Sequence, residues 1–388
     1  MPKSVISKSL LNLLPQHRIK EKRTLQLTLD ELIDDYRKLH ELSASELDFL
    51  LMAYRFEHIF QKFLKEFLQK PLKPEELTDL WRMAFASLLT RNEDSIAQLT
   101  HAWVEASKEF FGPFTASLSN AFLRKALREK SRILLEAQPQ DIIGPSLSQR
   151  WHTQPELQKR FAARIIRRPD PGIACLDKNS VWQLVDSKTF RAGTHLAISK
   201  ASALWTAEII ARIKSLDSIK LLDACAAPGG KLIATLNAVP KIEKALAVDA
   251  KFKRIERLKD NLALWGHGDK AQTILHDWSD QHPSIETDFN VVIADLPCTG
   301  LGTLASRPDL LIKDWRQDDK NLFRIQERIL TNATQCLTKN GLIFASICSS
   351  DPSEVQHINK ILNSTPSFHS KLSEDNSEEI TGWVIIKE

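Results

Sequence analysis

A chain of 388 residues can hold two or three domains, and 43% hydrophobic with 26% charged residues is the balance of a soluble globular protein. The net charge of +4 permits a nucleic-acid partner without requiring one. Five cysteines, odd in number, irregularly placed and without a CxxC pair, argue against a disulfide framework and a structural zinc site, so no metal is expected; no apolar run has signal-peptide or bilayer length, so the expected location is a reducing cytoplasm with no membrane partner.

Residues 1–135 read as an all-helical domain. No glycine occurs before Gly112, and apolar residues recur at helical spacing in Leu47–Tyr54 and Leu80–Leu89. Pro71, Pro74, Gly112 and Pro113 punctuate the run, and Ser43 and Glu46 stand in capping-box register. In the segment Leu118–Lys130, Leu118, Phe122 and Leu127 can face a core while Arg124, Lys125, Arg128 and Lys130 face water. That face suits RNA phosphates or is an ordinary solvated surface.

Residues 136–199 read as a linker with a small capping or RNA-binding subdomain. Breakers at Pro139, Gly144 and Pro145 precede a basic helix over 155–168, which Pro169-Asp-Pro-Gly172 ends. Short β-like runs between Ile173 and Ile198 suggest a small sheet.

From residue 200 the pattern alternates, and 200–388 reads as an α/β domain. Apolar runs ending at Asp223, at Asp249–Ala250, at Asp277, near Asp295–Cys298 and at Cys348 are buried strands, with a last strand at Trp383–Ile386. Helices are expected over 232–238, 251–265, about 318–338 and 351–362. Strands separated by helices imply a mostly parallel sheet covered on both faces, whose ligands bind outside the carboxyl ends of the strands. Asp223, Asp249, Asp277, Asp295, Cys298 and Cys348 all fall at those ends.

The first strand runs into a small-residue turn, Cys225-Ala226-Ala227-Pro228-Gly229-Gly230-Lys231. The turn fits neither the GxxxxGK[ST] loop nor GxGxxG, so a nucleoside ligand without a pyrophosphate is expected, and S-adenosyl-L-methionine suits it. A tight turn with no ligand is the plainer alternative. Asp249 lies about 20 residues on, where a ribose-binding carboxylate belongs. Cys175 and Cys336 read as core residues and Cys225 as a turn residue acting through its backbone, whereas Cys298 and Cys348 bring two thiols to the ligand edge. A methyl donor beside thiols suits the carbon 5 of a pyrimidine, which becomes nucleophilic once a thiolate adds to carbon 6. The helix expected after Cys348 offers a positive end to such a thiolate.

Asp223-Ala-Cys-Ala-Ala-Pro-Gly-Gly-Lys231, Asp295-Leu-Pro-Cys-Thr-Gly300, Arg307-Pro-Asp309 and Ile347-Cys-Ser349 resemble the RsmB/Sun-type RNA cytosine-5 methyltransferases over most of residues 196–360. Leu118–Arg124 is similar to the end of the NusB-like helical domain carried by ribosomal-RNA members, and Pro145–Trp151 to the segment after it. The resemblance implies a Rossmann-like methyltransferase domain behind a NusB-like one, acting on RNA, with small-subunit (16S) ribosomal RNA the expected substrate; a monomer is expected, though the sequence leaves the oligomeric state open. It implies Cys348 as nucleophile and Cys298 as the residue assisting release. Cys225–Lys231 would wrap S-adenosyl-L-methionine, Asp249 hold its ribose, Asp277 lie by its adenine, and Asp295 lie near its methionine end and the base. The chain departs from the family at Ile347, where threonine is usual, at Val355 after Glu354, at Ser199-Lys200, at Gly382-Trp-Val384 and in a short middle segment. Those departures keep open a second reading, a divergent RNA-binding or assembly factor on the same fold.

Overall fold

The computed structural model describes residues 6–11, 36–91, 93–166, 173–176, 182–184, 194–278, 287–315, 319–365, 368–372 and 380–387, together with 29 and 33. It divides into two compact units, Met1–Pro169 with Leu304–Gln317, and Asp170–Thr303 with Asp318–Glu388. Arg167, Arg168 and the 169–172 breaker lie outside the described residues, as does the side chain of Cys175.

The first unit is helical: α1 (Lys8–Leu11), α2 (Ala44–Arg55), α3 (Glu57–Phe67), α4 (Glu75–Thr90), α5 (Glu93–Phe111), α6 (Pro113–Arg128), α7 (Lys130–Glu136), α8 (Pro139–Arg150) and α9 (Pro155–Ile166). Ser43 and Glu46 form the capping box that starts α2, and Pro113 occupies the first turn of α6, where its missing N–H has no intrahelical partner to lose. The core is aromatic. Trp81 stacks on Phe122 with ring centroids 4.3 Å apart, and Phe60, Phe63, Phe67 and Phe85 surround the pair. The indole N–H groups of Trp81 and Trp103 donate to the Ser119 and Ser87 hydroxyls at 2.7 and 3.0 Å, so these large side chains are buried without an orphaned donor.

This unit runs past the boundary at 135 expected from the sequence, because α8 and α9 and the segment 304–317 pack into it. Arg55, 2% exposed, donates to the carbonyls of Ile165 and Ala305 at 2.5 and 2.7 Å. The Ser146 hydroxyl accepts from the Trp315 amide at 2.6 Å. The expected basic face is also narrower than its sequence. Arg124 and Arg128 are exposed, but Lys125 lies over the Phe63 and Phe67 rings and Lys130 donates to the carbonyls of Leu88 and Arg91. Leu118 and Leu127 are half-buried, and Leu123 and Ala126 join Phe122 in the core.

The second unit holds two sheets. A three-stranded one, β2-β1-β3, is built from β1 (Ile173–Leu176), β2 (Trp182–Leu184) and β3 (His195–Ala197). The seven-stranded sheet has the order β6-β5-β4-β7-β8-β10-β9, from β4 (Ile219–Asp223), β5 (Ile242–Asp249), β6 (Ala271–Leu275), β7 (Phe289–Asp295), β8 (Leu337–Ile347), β9 (Phe368–Leu372) and β10 (Thr381–Lys387). β4 to β8 pair in parallel, and β10 pairs antiparallel with both β8 and β9. Alternate residues of each strand supply the two faces. Leu221, Ala245, Ala247, Val291, Ile293 and Phe344 pack with α10 (Lys200–Ile213), α11 (Gly230–Ala238) and α12 (Phe252–Leu264). Leu222, Leu246, Val248, Val292, Ile343 and Ala345 pack with α13 (Lys320–Gln335) and α14 (Pro352–Asn363). Among the described residues no helix is long and apolar enough to cross a membrane.

Strand order reverses at β4: the chain builds outward to β5 and β6 on one side, then returns to place β7 on the other. That reversal opens a crevice at the carboxyl ends of β4 and β7. Gly382 of β10 lets α10 approach closely, since a methyl group there would come 2.7 Å from the Trp205 ring. Gly382→Ala is therefore expected to destabilise the protein by about 1–3 kcal/mol, as overpacking does, which chemical denaturation with unchanged m-value would register.

Candidate active site

The turn after β4 is held by backbone bonds at both shoulders. The amide of Ala224 donates to the Ile293 carbonyl of β7 at 2.8 Å, and that of Ala226 to the Val248 carbonyl of β5 at 2.9 Å. Gly229 caps α11 in the left-handed region at φ 104°, with Leu258 2.7 Å from where a Cβ would stand, so glycine is required on two counts. Beside it, a Cβ on Gly230 would meet only Ile198, at 4.0 Å, which leaves that side of the turn open to an approaching molecule.

Three carboxylates converge here. Asp249, 3% exposed at the end of β5, accepts from the amides of Ala227 and Lys251 at 3.3 and 3.1 Å and pairs with Arg254 at 3.2 Å. Arg254 also donates to the Ala227 carbonyl, so the turn is clamped from the α12 side. Asp223 accepts from the Cys225 amide at 3.3 Å. Asp295 ends β7, pairs with Lys231 at 2.6 Å and accepts from the Ser346 hydroxyl of β8 at 2.8 Å. Asp277, at the same edge past β6, is exposed, and the neighbouring His276 donates its amide to the Asp249 carbonyl at 3.0 Å.

Burial and the charge of Asp295 push the Asp223 carboxyl up to about 7. Burial, then Asp223 and Asp249, also push the Cys225 thiol well above its usual range. Burial opposes the Lys231 charge, but Asp295, Cys348 and Asp223 outweigh it and hold the ammonium's pKa above its ordinary value. Acidic groups crowded at strand ends, with one of them reluctant to ionise, suit a ligand that carries positive charge and hydroxyls.

Both sulfurs expected at this edge are there, and both are half-buried. Cys298 follows β7 and Cys348 follows β8; the Cys348 amide lies 3.2 Å from Cys298 Sγ. The hydrogen bond with the Cys348 side chain, then burial and the charges of Cys348, Glu354 and Asp295, raise the Cys298 thiol well above its ordinary value. Cys336 is fully buried, in keeping with a core role, and burial lifts its thiol to about 11.

The helix after Cys348 does not serve as expected. α14 begins only at Pro352, and the carboxylate of Asp351, 1% exposed, caps it by accepting from the Ser353 amide at 3.1 Å. The positive end is met by its own cap, and the cation coupled to Cys348 is Lys231. Sequence reading also missed Glu354 and Gln326, whose side chains are fully buried against the Cys298 loop; neither polar residue stands at a strand end.

A Rossmann-like sheet of this order, with a glycine turn at the crevice and acids at the ends of β4 and β5, defines a methyltransferase fold. Residues 212–383 match the profile of the family described as 16S rRNA methyltransferase RsmB/F. Over these residues the chain is similar to that family's methyltransferase domain. Among similar proteins, the ribosomal RNA small subunit methyltransferase B of Xanthomonas campestris is 28% identical over 325 residues, 74% of this chain and 71% of that one. The protein of the same name from Photorhabdus laumondii is 30% identical over 187 residues, 47% of this chain and 42% of that one. The solved structure of PH0851 aligns over 99% of both chains at 17% identity with a TM-score of 0.65, a likeness of fold.

The raised Asp223 carboxyl fixes the sign of a pH effect. Its ionisation is easier in the unfolded chain, so its burial is harmless below the unfolded pKa near 3.8 and increasingly destabilising as pH rises toward about 7. Asp223→Asn is expected to stabilise the ligand-free protein by about 1–3 kcal/mol at pH 8 and to lose that advantage at pH 4. Thermal unfolding of both proteins across this range checks it.

Proposed function

We propose that this protein transfers a methyl group to carbon 5 of a cytosine in RNA, with small-subunit ribosomal RNA as substrate. The observation that carries the reading is the meeting of Cys298 and Cys348 at adjacent strand ends, the amide of one 3.2 Å from the sulfur of the other, at the edge that also holds the Lys231–Asp295 pair and the glycine turn. The names of the relatives supply the RNA class.

Bound S-adenosyl-L-methionine supplies an electrophilic methyl group. The open turn Cys225–Lys231 would hold it, with Asp249 toward its ribose, Asp277 by its adenine and Asp295 toward its methionine end. The target base leaves its stack to reach the edge. Cys348, as thiolate, forms a bond to carbon 6, and the displaced ring electrons make carbon 5 nucleophilic. The Lys231 ammonium, paired with Asp295, stands at the same edge. When carbon 5, once methylated, gives up its proton to water, the double bond re-forms and the carbon–sulfur bond breaks, returning Cys348 as thiolate. Cys298, whose raised pKa keeps it a thiol at neutral pH, donates a hydrogen bond to the departing sulfur. The helical unit, proposed as NusB-like, offers Arg124 and Arg128 to RNA phosphates; we assign the chain to the cytoplasm as a monomer.

One observation favours the alternative of a binding factor. Ile347 is fully buried in the apolar layer, so the position before the nucleophile offers no hydroxyl to the base.

Cys348→Ala is expected to abolish methylation while keeping affinity for the donor, and Cys298→Ala to leave protein covalently attached to RNA. Cytosine-resolved bisulfite mapping and denaturing gels read the two outcomes; normal turnover by Cys348→Ala would overturn the nucleophile, and unmodified RNA with wild-type protein would favour the binding factor. Asp249→Ala should weaken donor binding by about 1.5–3 kcal/mol, the scale of charge-assisted hydrogen bonds, and calorimetry showing no change would remove Asp249 from that role.

A further inference from the structure

Glu354 stands in the first turn of α14 and is fully buried, six residues past Cys348 in sequence. Its carboxylate accepts from the Thr299 amide at 2.9 Å, from the Thr299 hydroxyl at 2.5 Å and from Gln326 Nε2 at 3.1 Å. Gln326 Nε2 also donates to the Pro297 carbonyl at 2.9 Å. The peptide groups on both sides of Cys298 are therefore tied, one to a residue of α14 and one to a residue of α13. The knot extends to the second sulfur, since the Thr299 and Ser349 hydroxyls lie 3.1 Å apart and the Gly302 amide donates to the Cys348 carbonyl at 3.1 Å.

Stability alone does not account for this arrangement. Removing a carboxylate from water costs several kcal/mol, and well-packed apolar side chains often serve a core as well or better. Apolar side chains border the knot: Leu296, Ile329, Leu330, Ile347 and Ile358 belong to one hydrophobic cluster. What a carboxylate adds is direction. Two oxygens with fixed lone pairs, met by three donors, specify where the 297–299 backbone stands in a way that methyl groups cannot.

We propose that Glu354 is a positioning residue: through Thr299 and Gln326 it fixes the Cys298 thiol beside the Cys348 amide and so sets the approach of the two sulfurs. Its kinetic consequence, slow product release when the clamp is lost, rests on the functional reading above.

The test uses the full chain as wild type, Glu354→Ala, Glu354→Gln and Gln326→Leu. Glutamine can keep an oxygen toward the Thr299 and Gln326 N–H groups, so Glu354→Gln is the conservative rescue. The first readout needs no activity: iodoacetamide labelling of Cys298, followed by peptide mass spectrometry with buried Cys336 as internal standard. Glu354→Ala and Gln326→Leu are expected to label Cys298 about tenfold faster, and Glu354→Gln to stay within about twofold of wild type. The second readout is single-turnover methylation, in which Glu354→Ala accumulates the same protein–RNA adduct as Cys298→Ala with unchanged donor affinity. Wild-type labelling of Cys298 in Glu354→Ala, or an equal rise at Cys336, overturns the positioning role. If Cys298→Ala itself traps no adduct, the functional reading fails, and the labelling arm still decides the role of Glu354.

Discussion

The ion pair between Lys231 and Asp295 joins the parts of the sheet edge that must work together. Lys231 belongs to the first turn of α11, after the glycine turn, and Asp295 closes β7 on the far side of the strand reversal. Asp295 also accepts from Ser346 of β8, so one carboxylate spans the crevice and the strand leading to Cys348. Without the lysine, Asp295 and Asp223 would face each other across the end of β4 with no cation between them, and Asp223 already ionises only near neutrality. A buried pair of this kind contributes little net stability after desolvation, and its value here is geometric.

Around that pair the edge divides into two neighbourhoods of different chemistry. On the β5 side, the contacts are backbone amides and carbonyls clamped by Asp249 and Arg254, a setting for a ligand recognised by shape and hydroxyls. On the β8 side, the groups are sulfurs held by a hydroxyl and carboxylate knot. Asp295 with Lys231 lies at the seam. The two neighbourhoods therefore meet where the charge is concentrated.

Much of this was legible because parallel strands buried on both faces are written as short apolar runs, and the chain places an acid or a thiol where each run stops. Asp223, Asp249, Asp295, Cys298 and Cys348 could be placed that way. Long-range polar pairing left no such mark. Glu354 reads as an ordinary first-turn acid of a helix, and only its contacts with Thr299 and Gln326 separate it from a solvated one. The segment 304–317 follows the Cys298 loop in sequence but packs among the helices through Trp315 and Ala305, a partition decided by tertiary contact. Lys125 and Lys130 look like solvated cations in sequence, yet one spends its charge on aromatic rings and the other on helix-end carbonyls. β8 begins at Leu337, five residues before the apolar run that announced it, because Asn340 takes the left-handed conformation, φ 62°, and lets the strand carry an irregularity in its pairing with β7.

The two thiols show why burial and reactivity have to be separated. Both are half-buried at the same edge, and composition alone gives no reason to treat them differently. The asymmetry comes from neighbours. Cys298 has its hydrogen bond with the Cys348 side chain, its burial and the charges of Cys348, Glu354 and Asp295 against it, all of which disfavour a negative charge on its sulfur. Cys348 shares its surroundings with the Lys231 ammonium, the cation of the cluster. Two adjacent sulfurs cannot both ionise cheaply, so the neighbours that keep the Cys298 thiol protonated are what distinguish it from the sulfur beside it.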